Sequence, residues 1–154
     1  MSFNIAIIGH GNYPEGILSA LELLAGSDNH IHTFNLNENI THDEFTEEIR
    51  TFLEEHEEVL IFADMTGGAP HQIASRLLLE LGKNDQYIIS SAPLNLILDL
   101  YASSKMDFLK ENVNERINLS IQESKELIQV LSSQNDNFSF DETSGSDDTQ
   151  EEGI

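Results

Sequence analysis

Cysteine is absent from this chain of 154 residues, and proline occurs only three times. Without cysteine the protein can form no disulfide, no thiolate metal site and no cysteine nucleophile. The chain also lacks any apolar run near the roughly 20 residues that a membrane span requires. Its amino terminus has no basic segment followed by a long apolar segment, as a secretory signal would. We therefore expect a cytoplasmic protein.

Basic residues are scarce as well. Seven Lys and Arg stand against 28 Asp and Glu, for a formal net charge of -21. This balance argues against nucleic acid, because phosphates are bound through Lys and Arg, and it disfavours an anionic membrane surface. An acidic surface is compatible with a basic protein partner, and it is equally compatible with a solvated exterior that has no partner.

The length and the distribution of charge predict one folded domain followed by a tail. We place the domain at residues 1–132, which is long enough to bury a sizeable core. Residues 133–154 form the tail, and the chain beyond Gln134 contains seven acidic residues and no Lys or Arg. We expect this tail to be mostly disordered, with a short edge strand near residues 138–140.

What is present is an alternation of apolar strand-length runs with helical patterns. The predicted strands are Phe3–Gly9, Ile31–Leu36, Val59–Ala63 and Tyr87–Ile89. Helical spacing follows Pro14, Thr41, Pro70 and Pro93, and Thr41 with Glu44 forms a capping box. Residues 107–114 are largely polar and are predicted to be a connecting segment or a ragged helix. A last helix is then predicted by the face listed here: Ile117, Ile121, Ser124, Ile128 and Leu131. The pattern is typical of an α/β fold with an open, mostly parallel β-sheet and helices on both faces.

Each proline follows a predicted strand and opens a predicted helix. Because parallel strands end at the same edge of a sheet, we expect His10, Asp64 and the pair Ser90-Ser91 to lie at one mouth. Three helix amino termini point their free amides at that mouth, an arrangement that favours an anion, above all phosphate. The pair Gly67-Gly68 permits close approach of a bound group.

These residue types suggest phosphoryl transfer. A neutral imidazole is a competent nucleophile near neutral pH, and a carboxylate on one ring nitrogen leaves the other lone pair free to attack. We assign His10 as nucleophile and Asp64 as the group that orients it. Ser90 and Ser91 either cap a helix or contact phosphate. We expect His71 to lie at the rim, and a metal-dependent hydrolase using His10, Asp64 and His71 stays an alternative.

Two motifs resemble those of a known family. The strand that ends in Gly9-His10-Gly11, with Gly16 following, resembles the phosphorylation site of IIA domains in the mannose family of the bacterial phosphoenolpyruvate-dependent sugar phosphotransferase system. Residues 64–70, DMTGGAP, resemble that family's D-x-x-G-G-[S/A]-P loop, and Ala74-Ser75-Arg76 continues the match. The similarity covers roughly residues 3–131 of this sequence.

The resemblance implies a phosphocarrier. His10 would accept a phosphoryl group from phospho-HPr and pass it to a IIB component, which phosphorylates a sugar during transport through membrane IIC and IID components. Asp64 would bond His10, and no metal or cofactor is implied. We expect phosphate contacts from the following residues: Gly11, Thr66, Gly67, Gly68 and Ser91. The family forms homodimers that exchange a carboxyl-terminal edge strand, so the segment after Leu131 is expected to supply that strand.

The chain also departs from the family pattern. Ala69 stands where many relatives carry serine, and Ser90-Ser91-Ala92-Pro93-Leu94 replaces a G-x-N-x-P-M type of loop. Two further alternatives stay open at this stage. One is the phosphotransfer subunit of a dihydroxyacetone kinase, and the other is a non-catalytic binding or regulatory module of flavodoxin-like shape.

Overall fold

The computed structural model describes residues 3–26, 29–106 and 112–134. Within these ranges strands and helices alternate from the amino terminus. The elements are β1 (Asn4–His10), α1 (Tyr13–Ala25), β2 (Ile31–Leu36), α2 (His42–Glu55), β3 (Val59–Ala63), α3 (Ala69–Leu81), β4 (Gln86–Ser90), α4 (Leu94–Lys105) and α5 (Val113–Lys125). No helix in these ranges is both long and apolar enough to cross a membrane.

The four strands form one sheet in the order β2-β1-β3-β4, and every neighbouring pair is parallel. The predicted fold class is therefore confirmed. The chain moves from β1 outward to β2 and then returns past β1 to β3, so the strand order reverses between β1 and β3. A crevice opens at such a reversal, beyond the carboxyl ends of the two strands. His10 ends β1 at this point.

The core lies in two layers on either side of the sheet. Ile5 and Ile7 of β1 are fully buried in the layer that contains α1, α4 and α5. Ala6 and Ile8 are fully buried in the opposite layer, with α2 and α3. Because side chains alternate across a strand, β1 must be apolar at every position to fill both layers.

Three of the helices begin where the capping box and the prolines of the sequence predict. The capping box predicted at α2 is confirmed, because the Glu44 amide donates to Thr41 Oγ1 at 3.0 Å and the Thr41 amide donates to Glu44 Oε1 at 2.9 Å. Pro14 and Pro70 are buried in the first turns of α1 and α3. A proline fits there because the first amides of a helix need no intrahelical acceptor.

The prediction for the last helix was partly wrong. Its start lies at Val113, within the segment predicted as a connection or a ragged helix, and Arg116 Nη2 contacts Asp99 Oδ1 of α4 at 3.0 Å. Its end lies at Lys125, so Ile128 and Leu131 are not on a helical face; they are 77% and 74% exposed. The helical spacing of apolar residues continues in the sequence past Lys125, but these side chains no longer pack against the rest of the domain. Tertiary packing, more than apolar spacing, stabilises a helix of this length. The proposed strand near residues 138–140 and the rest of the tail beyond Gln134 lie outside the described residues.

Candidate active site

The pairing of β1 with β3 brings His10 and Asp64 together. Ile8 is opposite Ala63 in the ladder, and the amide of Asp64 donates to Ile8 O at 3.1 Å. His10 is the last residue of β1, and Asp64 directly follows β3. The two side chains therefore meet in the crevice where the strand order reverses.

The Asp64 carboxylate accepts three hydrogen bonds. Its Oδ2 lies 2.8 Å from His10 Nδ1 and 2.9 Å from the His10 amide nitrogen, and its Oδ1 accepts from the Met65 amide at 2.7 Å. Burial alone would raise the pKa of Asp64, but the hydrogen bonds from the backbone and ring of His10 together outweigh it, and the pKa is lowered. Asp64 is therefore ionised at neutral pH and can only accept.

An acceptor-only partner defines the tautomer of His10. Nδ1 must carry the proton that faces Asp64, so Nε2 carries a free lone pair in the neutral ring. The side chain of Asp64 is 11% exposed, whereas that of His10 is 47% exposed. The pair thus has a largely buried carboxylate behind a half-exposed imidazole ring.

Two glycines make room for this pair. A Cβ on Gly9 would lie 2.9 Å from Asp64 Cγ, and a Cβ on Gly68 would lie 2.8 Å from His10 Cε1 and 3.5 Å from Nε2. The distances of 2.9 Å and 2.8 Å are too short for a real Cβ. In the sequence Gly9 was identified only as part of the Gly9-His10-Gly11 motif at a strand end, and its position against Asp64 becomes visible only when β1 and β3 are paired.

Gly68 is also the N-cap of α3, and it supplies no side chain to the first turn. The first amides of a helix have no intrahelical acceptor, and this end carries the positive part of the helix dipole. A group bonded to Nε2 of His10 would therefore lie beside an electropositive helix start.

The peptide group of Gly67 is held from both sides by α3. Gly67 has φ +90°, its amide donates to His71 Nδ1 at 3.0 Å, and its carbonyl accepts from Gln72 Nε2 at 2.6 Å. His71 therefore has its lone pair on Nδ1, directed at the loop. The described residues contain no group of three or more His, Cys, Asp or Glu that could hold a metal, so His71 does not combine with His10 and Asp64 into such a group.

Thr66 and the two serines form a separate hydroxyl cluster. The Thr66 amide donates to Ser91 Oγ at 3.0 Å, and Thr66 Oγ1 lies 2.6 Å from Ser90 Oγ and 2.8 Å from Ser91 Oγ. Ser91 has φ 54°, in the left-handed region that non-glycine residues seldom adopt. Neither serine caps α4, because Pro93 is its N-cap; the capping interpretation was wrong.

The predicted phosphate contacts fall into two groups. The amides of Gly11, Thr66 and Gly67 already donate within the protein, to Leu36 O, Ser91 Oγ and His71 Nδ1. The amide of Gly68 makes only a long contact of 3.4 Å to Met65 O. Of the glycine and threonine positions, Gly68 is the one that the structure places against the His10 ring.

Sequence reasoning missed Tyr13, the first residue of α1. Burial raises the pKa of its hydroxyl, and the negative charge of Asp64 raises it further, which places the phenol within electrostatic reach of the carboxylate. Tyr13 follows His10 by three residues and precedes Pro14. The sequence identifies this position as a helix start, but it gives no direction for the side chain.

Comparison with known proteins identifies the family of the chain. The family model for the PTS system fructose IIA component matches residues 4–128. The EIIA component of the phosphotransferase system from Streptococcus agalactiae is 26% identical, with a TM-score of 0.72 over 83% of this chain and 96% of that one. The PTS IIA protein associated with the fucose utilization operon of Streptococcus pneumoniae is 27% identical, with a TM-score of 0.65 over 80% and 92%. The mannose/sorbose-specific IIA subunit from Enterococcus faecalis, 16% identical, shares the fold with a TM-score of 0.70 over 86% and 96%. The chain belongs to the PTS IIA family of sugar-transport phosphotransferase components.

Proposed function

We propose that this protein is a phosphocarrier in which His10 accepts a phosphoryl group from phospho-HPr and transfers it to a IIB component. The observation that carries the proposal is the 2.8 Å contact between His10 Nδ1 and Asp64 Oδ2. It leaves Nε2 as the nucleophilic nitrogen, on a side chain that is 47% exposed. A large protein donor can reach a nitrogen in that position.

The chemical step is an in-line displacement at phosphorus. The Nε2 lone pair of His10 attacks the phosphorus atom, a new N–P bond forms, and the N–P bond to the histidine of the donor breaks with its electron pair returning to that ring. His10 becomes a phospho-imidazolium that retains its Nδ1 proton. The ionised Asp64 stabilises this positive ring, and transfer to the acceptor runs through the same arrangement in reverse.

The start of α3 supports the transferred group. The phosphoryl oxygens on Nε2 would lie beside Gly68, where the electropositive end of the helix favours negative charge by about 0.3–1 kcal/mol at an exposed site. A fixed dipole of this kind needs no rearrangement during transfer. Thr66 and Ser91 brace the loop that leads to Gly68, and we assign them this supporting role beside the phosphate site.

The proposed partners follow from this role. HPr is the donor and IIB the acceptor, with IIC and IID acting indirectly in the membrane. We also propose a homodimer that is formed through the segment after α5. Leu127, Ile128, Val130 and Leu131 are between 62% and 78% exposed there. An apolar run of this kind is typical of a protein interface.

A labelling experiment tests the proposal. Incubation with phosphoenolpyruvate, enzyme I and HPr should introduce one acid-labile phosphate per chain. His10→Gln should abolish the label, whereas the matched control His42→Gln, an exposed histidine at the start of α2, should retain it. Label that survives His10→Gln would overturn the assignment. Chasing the labelled protein with IIB, or in parallel with a dihydroxyacetone kinase, then identifies the acceptor.

A further inference from the structure

The edge strand β2 has a face that phosphoryl transfer does not use. In the described part of the chain β2 pairs with β1 on one side only, so its outer backbone groups have no strand partner. Its side chains alternate: His32 and Phe34 contact Phe52 of α2, while Thr33 and Asn35 donate to Glu15 Oε2 of α1. An edge with free backbone groups is a template for an added strand.

A groove lined by aromatic rings lies beside this edge, between β2 and the second half of α2. Four rings form its floor, and their centroid distances run from 4.6 Å for Phe52–His56 to 5.7 Å for His32–His56. The floor residues are His32, Phe34, Phe52 and His56. The groove has a volume of about 440 Å³, which is large enough to admit a long side chain.

Carboxylates surround the floor. Glu47, Glu48 and Glu55 line the groove, and all three are exposed. Glu47 has a long contact of 3.7 Å to Arg50, and within the described ranges no ion pair involves Glu48 or Glu55. Burial, and after it the nearby His56 and His30, lower the pKa of His32, so this ring is uncharged at neutral pH and does not repel a cation.

We propose that the β2 edge and its aromatic groove bind an extended, arginine-bearing segment of another protein. The segment adds as a strand to β2, and its guanidinium group stacks on the floor rings within reach of the three rim glutamates. Arginine fits because its planar cation stacks on aromatic faces and is weakly hydrated. On the opposite face of the same strand Glu15 lies beside Thr33 and Asn35, so the next residue of the segment also meets a carboxylate.

The three rim glutamates argue against the other available occupants of this groove. The chain beyond Gln134 carries seven acidic residues and no basic one, and a second copy of this chain has the same net charge of -21. Either would place carboxylates against the three rim glutamates. Like charges in contact oppose association, whereas complementary charges accelerate it and select the partner. The occupant is therefore a basic segment of a different protein.

A peptide titration tests the proposal in the full chain, and it does not depend on phosphoryl transfer. The probe is an acetylated, amidated peptide that alternates Arg with Thr and Val, and the matched probe replaces each Arg with neutral citrulline. In ¹⁵N-labelled protein the Arg peptide should produce saturable amide shifts confined to β2 and the second half of α2. The citrulline peptide should bind at least tenfold more weakly.

Two variants with the same change in charge distinguish binding at the groove from non-specific attraction to an acidic protein. The triple variant Glu47→Gln, Glu48→Gln, Glu55→Gln should weaken binding of the Arg peptide about tenfold. The control triple Glu115→Gln, Glu123→Gln, Glu126→Gln removes three exposed charges from the α5 region, across the sheet, and should change binding less than twofold. Equal weakening by both triples, shifts spread over the whole surface, or no saturable shift would overturn the proposal. Shifts at β2 that depend on the concentration of the free protein would also overturn it, because they would identify a second copy as the occupant.

Discussion

His10 and His71 lie at the same edge of the sheet, yet their rings are held in opposite tautomers. His10 Nδ1 faces the carboxylate of Asp64 at 2.8 Å and must donate, whereas His71 Nδ1 faces the amide of Gly67 at 3.0 Å and must accept. The lone pair of His10 is therefore on Nε2, and that of His71 is already used by the loop. One ring can act as a nucleophile through Nε2, and the other holds the backbone beside it.

The comparison shows that the hydrogen-bond partner of Nδ1, more than the position of the residue at the sheet edge, determines which ring nitrogen of a histidine has a free lone pair. A carboxylate fixes the proton on Nδ1 and leaves the Nε2 lone pair free, while an amide donor occupies the Nδ1 lone pair. In the sequence His10 lies between two glycines, and His71 follows the pair Gly67-Gly68 by three residues; both lie near a proline-led helix start. Only the contacts distinguish the proposed carrier from the residue that positions the loop.

Exchanging the carboxylate for an amide should produce the largest effect. In Asp64→Asn the side chain retains its size but loses the charge that stabilises the phospho-imidazolium, and its amide can direct the ring into the wrong tautomer. We expect the rate of phosphoryl transfer to fall about a thousandfold, as measured by rapid-quench labelling from phospho-HPr. A loss below threefold would remove Asp64 from the mechanism.

Filling the space beside the ring should have the next largest effect. A Cβ at Gly68 would lie 2.8 Å from His10 Cε1, so Gly68→Ala must displace the ring or the start of α3. Transfer should slow about a hundredfold, while the free energy of unfolding falls by only about 1–3 kcal/mol. The control Gly16→Ala, with nothing within 4 Å of the new Cβ, should leave transfer unchanged and stabilise the helix by about 0.5–1 kcal/mol. Equal transfer rates in the two variants would show that the ring has freedom to move.

Removing the hydrogen-bond acceptor at His71 should slow phosphoryl transfer less than either of the changes above. His71→Phe retains an aromatic ring but leaves the Gly67 amide without its partner, at a cost of about 0.5–1.5 kcal/mol in loop stability. We expect transfer to slow less than tenfold, with one phosphate per chain still incorporated. If the amount of phosphate incorporated per chain were halved in this variant, His71 would itself carry phosphate. That result would contradict the assignment of different roles to the two rings.

The smallest effect concerns stability at low pH. Because the pKa of folded Asp64 lies below the unfolded value of 3.8, its ionised form stabilises the fold above that value, and this contribution is lost as pH falls through the folded pKa. The difference in unfolding free energy between the protein and Asp64→Asn should shrink as the pH falls below 3.8. Urea unfolding at several pH values measures it. A difference that stays constant down to pH 2 would show that Asp64 titrates normally.

Much of the fold follows from local patterns. The β2 and β3 boundaries, the capping box at Thr41 and the proline-led helix starts were all predicted correctly, since each depends on residues close in sequence. The end of α5 was not, because its apolar spacing continues past Lys125 although the packing partner does not. A helix boundary of this kind depends on tertiary contacts that periodicity cannot report.

The site was predictable in its members but not in its contacts. Parallel topology alone brings His10 and Asp64 to one edge, so their juxtaposition could be expected. The donation from the Gly67 amide to His71 depends on the detailed conformation of the loop before α3. The need for Gly9 to lack a Cβ depends on how closely Asp64, which is 55 positions away in the sequence, approaches β1. The groove beside β2 was missed because its rings come from segments that are far apart in the sequence: His32 and His56 are 24 positions apart, and their rings contact each other and Phe52 only in the folded chain.

The most direct test is to identify the nitrogen that carries phosphate. Protein labelled with ¹⁵N in its imidazole rings, phosphorylated through enzyme I and HPr, should show ¹⁵N–³¹P coupling at a single ring nitrogen, and ring correlations should assign it to Nε2 of His10. Coupling at Nδ1 of His10 would contradict the account, because that nitrogen faces Asp64. Coupling at another histidine would contradict it as well.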